Sequence, residues 1–417
     1  MAEQYQPGDI LIDKLELHKL DGGEFIDIRE QVLTFDVFES ILSPVITGSI
    51  FIQDSVQLRE KFPIIADRCF VRIYWSSPTV KNKKIRKLDL LISNVTNSTI
   101  SADSKYNVYQ LKLTSIEILN NANQMVSRGF FGKPISDYVT DVLTNYIQPT
   151  KPIFVQPTKG IQTIDSVIMK PFQALDLFKF KAVSTRYESS LFVFFENRIG
   201  FMFTPIEHLL ESPVFKIEDG LFFFDSDSAT NVDNISYRNI LAYNHISQQS
   251  TSKLVSEGAL ANKTVAVDLR TGGVQTVNYK HSEANFQGPP GAKSQVTPTF
   301  EANNSKDAKL FNHVKTTTNP DNYLEEKLGR SKAFFELMVQ NILRIAVPGD
   351  EYLSAGYMIN VKVPNPSGGT KDKENSEFVS GPMLISAARH MIERDEKQGG
   401  FAYYTSMELM NPFFGRG

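Results

Sequence analysis

Phe35-Asp36-Val37-Phe38-Glu39-Ser40-Ile41-Leu42-Ser43-Pro44 runs shortly into Thr47-Gly48-Ser49-Ile50-Phe51-Ile52-Gln53-Asp54. In the first stretch Leu33, Phe35 and Val37 alternate with Thr34, Asp36 and Phe38, the two-residue period of a strand with one buried face. The second reads as another strand, and Gly48 within it marks a bulge or the close approach of another backbone. Upstream, Ile10, Ile12, Leu15 and Leu17 precede Asp21-Gly22-Gly23, and Phe25, Ile26 and Ile28 follow, which predicts a hairpin. Downstream, residues 69–75, 88–95 and 106–118 are further strand candidates, and few helices interrupt them. A hydrophobic sheet face this extensive is buried by closing or packing the sheet, so a barrel or sandwich is predicted.

Beyond residue 119 the period changes. Ile135, Tyr138, Val139, Val142, Leu143 and Tyr146 fall on one face of a helix that opens at Pro134, where a missing N–H costs little. Residues 172–183, after Pro171, repeat the pattern. Residues 191–203 then read as a hairpin around Asn197-Arg198, which makes 120–210 a small α/β unit. Residues 211–245 return to strand and turn signals. Residues 246–333 hold Gly258, Gly272-Gly273 and Gly288-Pro289-Pro290-Gly291 among many polar residues, and read as an irregular or partly stranded insertion, with 264–269 its best strand. A helix begins near Leu324, and strands follow at 343–347, 358–363, 382–391 and 401–410, with a loop at Asn365-Pro366-Ser367-Gly368-Gly369.

A chain of 417 residues has room for two or three domains. Its net charge of -3 lacks the basic excess of a protein built to grip phosphates. The one cysteine, Cys69, lies in an apolar run and reads as a buried, inert thiol, so no internal disulfide is expected. The polar start of the chain has no signal-peptide pattern, and no stretch approaches ~20 apolar residues, so no membrane span is expected. The basic stretch at 81–87 reads as a solvated hairpin tip.

No catalytic, cofactor-binding or metal-binding residue emerges. The six histidines have neither helical i, i+4 spacing nor a cysteine partner at metal-ligand spacing. Phosphate-loop, dinucleotide and nucleophile-elbow patterns are absent. Asp225-Ser226-Asp227-Ser228 begins like a calcium loop, but Ala229 and Thr230 replace the ligand and the glycine. Glu196, Glu207, Glu211 and Glu218 are the carboxylates from which a glycosidase-like pair could be drawn, and they read as turn or solvated groups. His390, beside Arg389 in a strand, reads as a structural histidine.

Three sets of residues resemble baseplate central hub proteins of contractile-tailed bacteriophages. The stretch quoted first, residues 35–44 and 47–54, resembles the family's tail-tube-like domain. Leu191-Phe192-Val193-Phe194-Phe195-Glu196-Asn197-Arg198-Ile199-Gly200-Phe201 resembles its small α/β domain. The last region is similar through Val347-Pro348-Gly349-Asp350, residues 353–361, residues 381–392 and Tyr403-Tyr404-Thr405-Ser406-Met407-Glu408-Leu409. The order and spacing of these pieces carry the resemblance, which covers most of the chain outside 246–333.

The resemblance implies a β-rich α+β fold: two tail-tube-like β-barrel domains, a small α/β domain and a long irregular insertion. The domains expected are 1–119 for the first barrel, 120–210 for the α/β unit, 211–245 with 334–417 for the second barrel, and 246–333 for the insertion. It further implies a non-enzymatic virion protein without cofactor. Three copies would close head to tail into a pseudo-sixfold ring, through interfaces of upwards of ~2,000 Å². Tail-tube protein would sit above, a trimeric central spike below and baseplate wedge proteins around it. DNA would pass through a neutral or acidic channel without specific binding, and assembly would occur in the host cytoplasm. Two alternatives stand beside it: the hub of a related contractile injection system, and a tail-associated peptidoglycan hydrolase. A carbohydrate-binding module is disfavoured, because the aromatics are mainly Phe.

Overall fold

The computed structural model describes residues 5–78, 85–100, 106–187, 189–211, 216–224, 238–247, 254, 256–259, 261–269, 271–280, 293–294, 309–315, 324–339, 341–363, 380–395, 400–410 and 413–414. Residues 81–84 of the basic tip, residues 225–230, the Gly288-Pro289-Pro290-Gly291 turn and the 365–369 loop lie outside the described residues.

The first region forms β1 (Leu11–Lys19), β2 (Phe25–Asp27), β3 (Val32–Ser40), β4 (Thr47–Asp54), a single helical turn α1 (Leu58–Lys61), β5 (Cys69–Ser76), β6 (Arg86–Ile100) and β7 (Asn107–Ser115). They pair antiparallel in the order β2-β1-β5-β6-β7-β4-β3. The period-2 residues meet inside: Leu15, Leu17, Phe35, Val37, Ile50, Ile52, Val71, Ile73 and Trp75 share one core, and Cys69 is buried there. Gly48 is needed for close approach, because a Cβ at that position would stand 2.7 Å from the Asp36 carbonyl oxygen.

The α/β unit follows as α2 (Ile118–Asn123), β8 (Val126–Lys133), α3 (Ile135–Val142) running into a π-helical turn at Leu143–Ile147, β9 (Ile153–Val155), β10 (Gln162–Met169), α4 (Pro171–Lys181), β11 (Phe192–Asn197), β12 (Gly200–Pro205) and α5 (Ile206–Glu211). Pro134 caps α3 in an extended conformation and Pro171 opens α4. The helix faces read from the sequence pack on the β11–β12 hairpin, with Tyr138, Val139, Phe178, Phe194 and Phe201 in one core.

The rest of the chain supplies β13 (Lys216–Phe223), β14 (Ala242–Ser247), β15 (Ala261–Asp268), β16 (Val274–Lys280), the two-residue β17 (Lys293–Ser294), β18 (Lys309–Lys315), α6 (Leu324–Met338), β19 (Asn341–Pro348), β20 (Met358–Lys362), β21 (Gly381–Asp395), β22 (Gly400–Met410) and the two-residue β23 (Phe413–Phe414). Part of the 246–333 segment is therefore regular. β16, β15 and β18 form a three-stranded sheet, and α6 lies against it so closely that a Cβ on Gly329 would meet Asn262 at 2.2 Å. The boundary expected at 333/334 falls inside α6, because Phe334 and Met338 reach the core of the last region.

The two β regions join into one 13-stranded sheet, in the order β14-β19-β22-β21-β3-β4-β7-β6-β5-β1-β2, with β13 and β20 branching from β21. The join is the antiparallel ladder from Ala387 opposite Ser40 to Glu393 opposite Thr34. The β21–β22 hairpin serves both sides of it. Its open end pairs with β20 and β19 and places Met383, Ile385, Met407 and Leu409 in the last region's core. Its turn end places Ile392 and Tyr403 in the first region's core. There Asp9 bridges Ala402 and the Tyr403 N–H donates to the Gly8 carbonyl at 2.8 Å, which returns the ladder to the start of β1. Around the other core, Asn239 bridges Phe223, and Leu241 N–H donates to the Ala346 carbonyl at 2.8 Å, which links β13 to β14 and β19. The expected split between 1–119 and 334–417 is thus crossed by one hairpin. Sheet partners are chosen by long-range packing, which no local pattern encodes.

Candidate functional site

Two places gather polar side chains: the outer face of the sheet across the join, and a seam buried beneath it. On the outer face the strand period that buries Phe35 and Val37 turns Asp36 and Phe38 outward, and β21 places Arg389 opposite Phe38. Arg389 Nε donates to Asp36 Oδ1 at 3.0 Å, and its guanidinium lies 5.5 Å from the Phe38 ring centroid. One strand pair away Arg344 sits opposite Glu408 and donates to Glu408 Oε2 through Nε at 3.1 Å and Nη2 at 3.0 Å. Between these pairs runs a shallow groove of about 430 Å³, lined by Phe38, Thr47, Arg344, Arg389, Ser406 and Glu408 among others. Both arginines facing it carry a carboxylate partner, so the groove itself is polar with its arginine charges paired.

The seam lies where residues 348–357 pass between the two cores and the α/β unit. Asp350 N–H donates to Thr405 Oγ1 at 3.2 Å, and Ser77 N–H donates to Glu351 Oε2 at 3.2 Å. Glu39 accepts from the Ala355 N–H at 3.1 Å and from Ser354 Oγ, and its other oxygen pairs with Arg86. Arg198, from the turn of the β11–β12 hairpin, reaches Tyr357 Oη at 3.3 Å, and Asn197 Nδ2 donates to the Ala355 carbonyl at 3.0 Å. Gly356 has φ +88°, and a Cβ there would meet the Phe195 ring at 2.8 Å, so the loop closes on the α/β unit only with glycine.

His390 belongs to this seam. Its Nε2 is 2.8 Å from Arg86 Nη1 and its Nδ1 is 2.7 Å from Tyr403 Oη. A guanidinium can only donate, so Nε2 accepts and Nδ1 carries the proton of the neutral ring. Burial, and next the Arg86 charge, hold the His390 pKa well below its usual value. Burial also draws Arg86 down to about 10 and pushes Asp350 up to about 6. Every hydrogen-bonding edge of His390 is occupied, and the ring is buried, so it has no route to a substrate.

Of the carboxylates singled out in the sequence, Glu207 and Glu211 lie four residues apart on α5 and interact, whereas Glu196 stands elsewhere. Glu196 is buried and accepts from the Ile46 N–H at 2.9 Å, from Ser115 Oγ and from Lys151 Nζ, which fastens β11 to the sheet. Glu207 is half-buried on α5, where desolvation raises its pKa. Glu211 lies 3.7 Å from Arg186. Glu218 lies in β13, and its side chain is outside the described residues. Glu39, Arg86, Asp350 and Glu351 were not singled out in the sequence. The one local hint was an acidic pair, Asp350-Glu351, set in an otherwise small and apolar segment. Among the described residues no group of three or more His, Cys, Asp or Glu could hold a metal, and no helix is long and apolar enough to cross a membrane.

The fold is similar to that of solved tail proteins. It is similar over nearly its whole length to the tail protein from Neisseria meningitidis MC58, with a TM-score of 0.55 at 12% identity, covering 95% of this chain and 96% of that one. It is likewise similar to the 43 kDa tail protein of prophage MuSo2 from Shewanella oneidensis, with a TM-score of 0.54 at 11% identity and coverage of 96% and 98%. No family model and no curated protein matches the sequence. At such identity the likeness is one of fold, and the side-chain arrangements above belong to this chain.

Proposed function

We propose that this chain is the central hub subunit of a contractile phage tail baseplate, a mechanical part and not an enzyme. Its two core-bearing β regions act as two tail-tube-like barrels that share the β21–β22 hairpin. Three copies close into a ring of six such units, which matches a sixfold tail tube on one side and a trimeric spike on the other. The carrying observation is the β21–β3 ladder. It fuses two strand sets from opposite ends of the chain into one continuous outer face, as the wall of an axial channel requires. On that wall Arg389 and Arg344 are neutralised by Asp36 and Glu408, which weakens the hold these two arginines would otherwise have on DNA phosphates. Wedge proteins would surround the ring in the virion.

Light scattering, and images of the particle along its axis, test the reading. A ring of three 47.0 kDa chains is expected, alone or with the tube and spike proteins encoded beside it. A strict monomer under all of these conditions overturns it. The hydrolase alternative needs a carboxylate pair, sought first in residues 120–210, and there three donors already hold Glu196. A cell-wall zymogram with Glu196→Gln as control decides it. Neighbouring genes separate a phage hub from that of a related injection system.

A further inference from the structure

Two charged side chains of the buried seam each keep one atom that no protein group serves. Arg86 spends Nη2 on Glu39 and Nη1 on His390, and its guanidinium lies 5.2 Å from the Trp75 ring centroid. Its Nε is buried and has no hydrogen-bond partner among the described residues. Glu351 accepts from the Ser77 N–H through Oε2, and its Oε1 is likewise buried without a hydrogen-bond partner. Arg86 is 3% exposed and Glu351 1%, so bulk solvent serves neither atom.

The β5–β6 ladder brings the two side chains to one place. Trp75 stands opposite Arg86 at its end, and Ser77, which holds Glu351, comes two residues after Trp75. The Ser77 hydroxyl donates to the Gly349 carbonyl at 3.0 Å, which anchors the 348–357 segment at that point. Burial lowers the Arg86 pKa, and Glu351 is among the charges that act the other way.

A guanidinium N–H only donates and a carboxylate oxygen only accepts. Whatever serves both atoms must therefore accept from one and donate to the other. A metal cation cannot accept, and a halide cannot donate. Charge calls for no ion either, because Arg86, Arg198 and Arg238 stand against Glu39, Asp350 and Glu351, with His390 neutral. Buried polar groups are as a rule satisfied, and where no protein group does so an internal water does. Arg198 Nε and Asp350 Oδ2 are in the same condition, the latter 3.6 Å from Arg238 Nη1 and so beyond hydrogen-bond reach.

We propose that the seam binds an internal water that accepts from Arg86 Nε and donates to Glu351 Oε1. Arg86 belongs to the first β region and Glu351 to the segment that leads into the last. The water is thus a shared ligand that ties two parts of the molecule where their own side chains make no direct bond.

A crystal structure of the full-length chain at ~2 Å resolution tests it. An ordered water within ~3.2 Å of both Arg86 Nε and Glu351 Oε1 is expected in every copy. A dry seam, a direct Arg86–Glu351 bond through these atoms, or another protein acceptor on Nε overturns it. Glu351→Gln still offers a polar atom there and should keep the water. Glu351→Leu should lose it, with Arg86 still on Glu39 and His390. A water that persists in Glu351→Leu is held by other groups, and overturns the assignment to Glu351. Should Glu351→Leu fail to fold, the wild-type and Glu351→Gln structures decide between the same outcomes. A monomer and a ring would hold the same water, so failure of the ring reading leaves this result unchanged.

Discussion

Glu196 shows at the scale of one residue how partners decide a role. In the sequence it is a carboxylate in a run of phenylalanines, open to a catalytic reading. In the fold it is buried under Lys151, Ser115 and the Ile46 N–H. Glu196→Ala strands these donors, and breaking such a buried pair costs about 3 kcal/mol. Denaturant unfolding should show that loss, whereas a catalytic role would leave stability intact. His390 gives a pH dependence. Its folded pKa lies below its unfolded value, so the unfolded chain takes up the proton first as pH falls. The stability carried by the neutral ring is complete above ~6.5 and drains away as pH drops below it. Asp350 works in the opposite sense. Its pKa is raised to about 6, so its contribution is full below ~3.9 and is lost as pH rises through 6. Thermal melts of wild type and His390→Gln between pH 5 and 8 should differ in slope, with the acid-side loss smaller in the variant.

At the scale of elements, the alternation of Phe35, Val37, Ile50 and Ile52 made the strands legible, and so did the helix faces behind Pro134 and Pro171. Within β4 the sequence marks Gly48 for close approach, and the Asp36 carbonyl is what it approaches. The double use of the β21–β22 hairpin was not legible. Its two ends have the same alternating pattern, and nothing local says that Ile392 and Tyr403 belong with Trp75 and Phe35. Residues 1–119 expressed alone should therefore fail to fold cooperatively, with early proteolysis and no sharp thermal transition. Adding the hairpin back within the full chain restores the missing wall. A stable, cooperative 1–119 fragment would mean that the hairpin only decorates a core already complete.

At the scale of the whole molecule the outer face matters more than any one side chain. Arg389 and Arg344 are exposed enough to meet a phosphate, and Asp36 and Glu408 hold them. Asp36→Asn with Glu408→Gln keeps the shapes and removes the neutralising charges. That variant should be retained on immobilised duplex DNA at low salt and released by ~0.2 M salt, while wild type passes through. Equal behaviour of the two proteins would show that these pairs do not set the face's affinity for DNA.

From residue order alone came the strand-rich character, the paired β regions flanking an α/β unit, the absence of a recognisable catalytic pattern and the likeness to tail hubs, because periodicity and turn chemistry are local. The fold alone decided that the two regions are one sheet, that His390 and Glu196 are fastenings, and that the arginines of the outer face are neutralised. Those facts depend on which distant residues meet, and that choice is made by burying a common core.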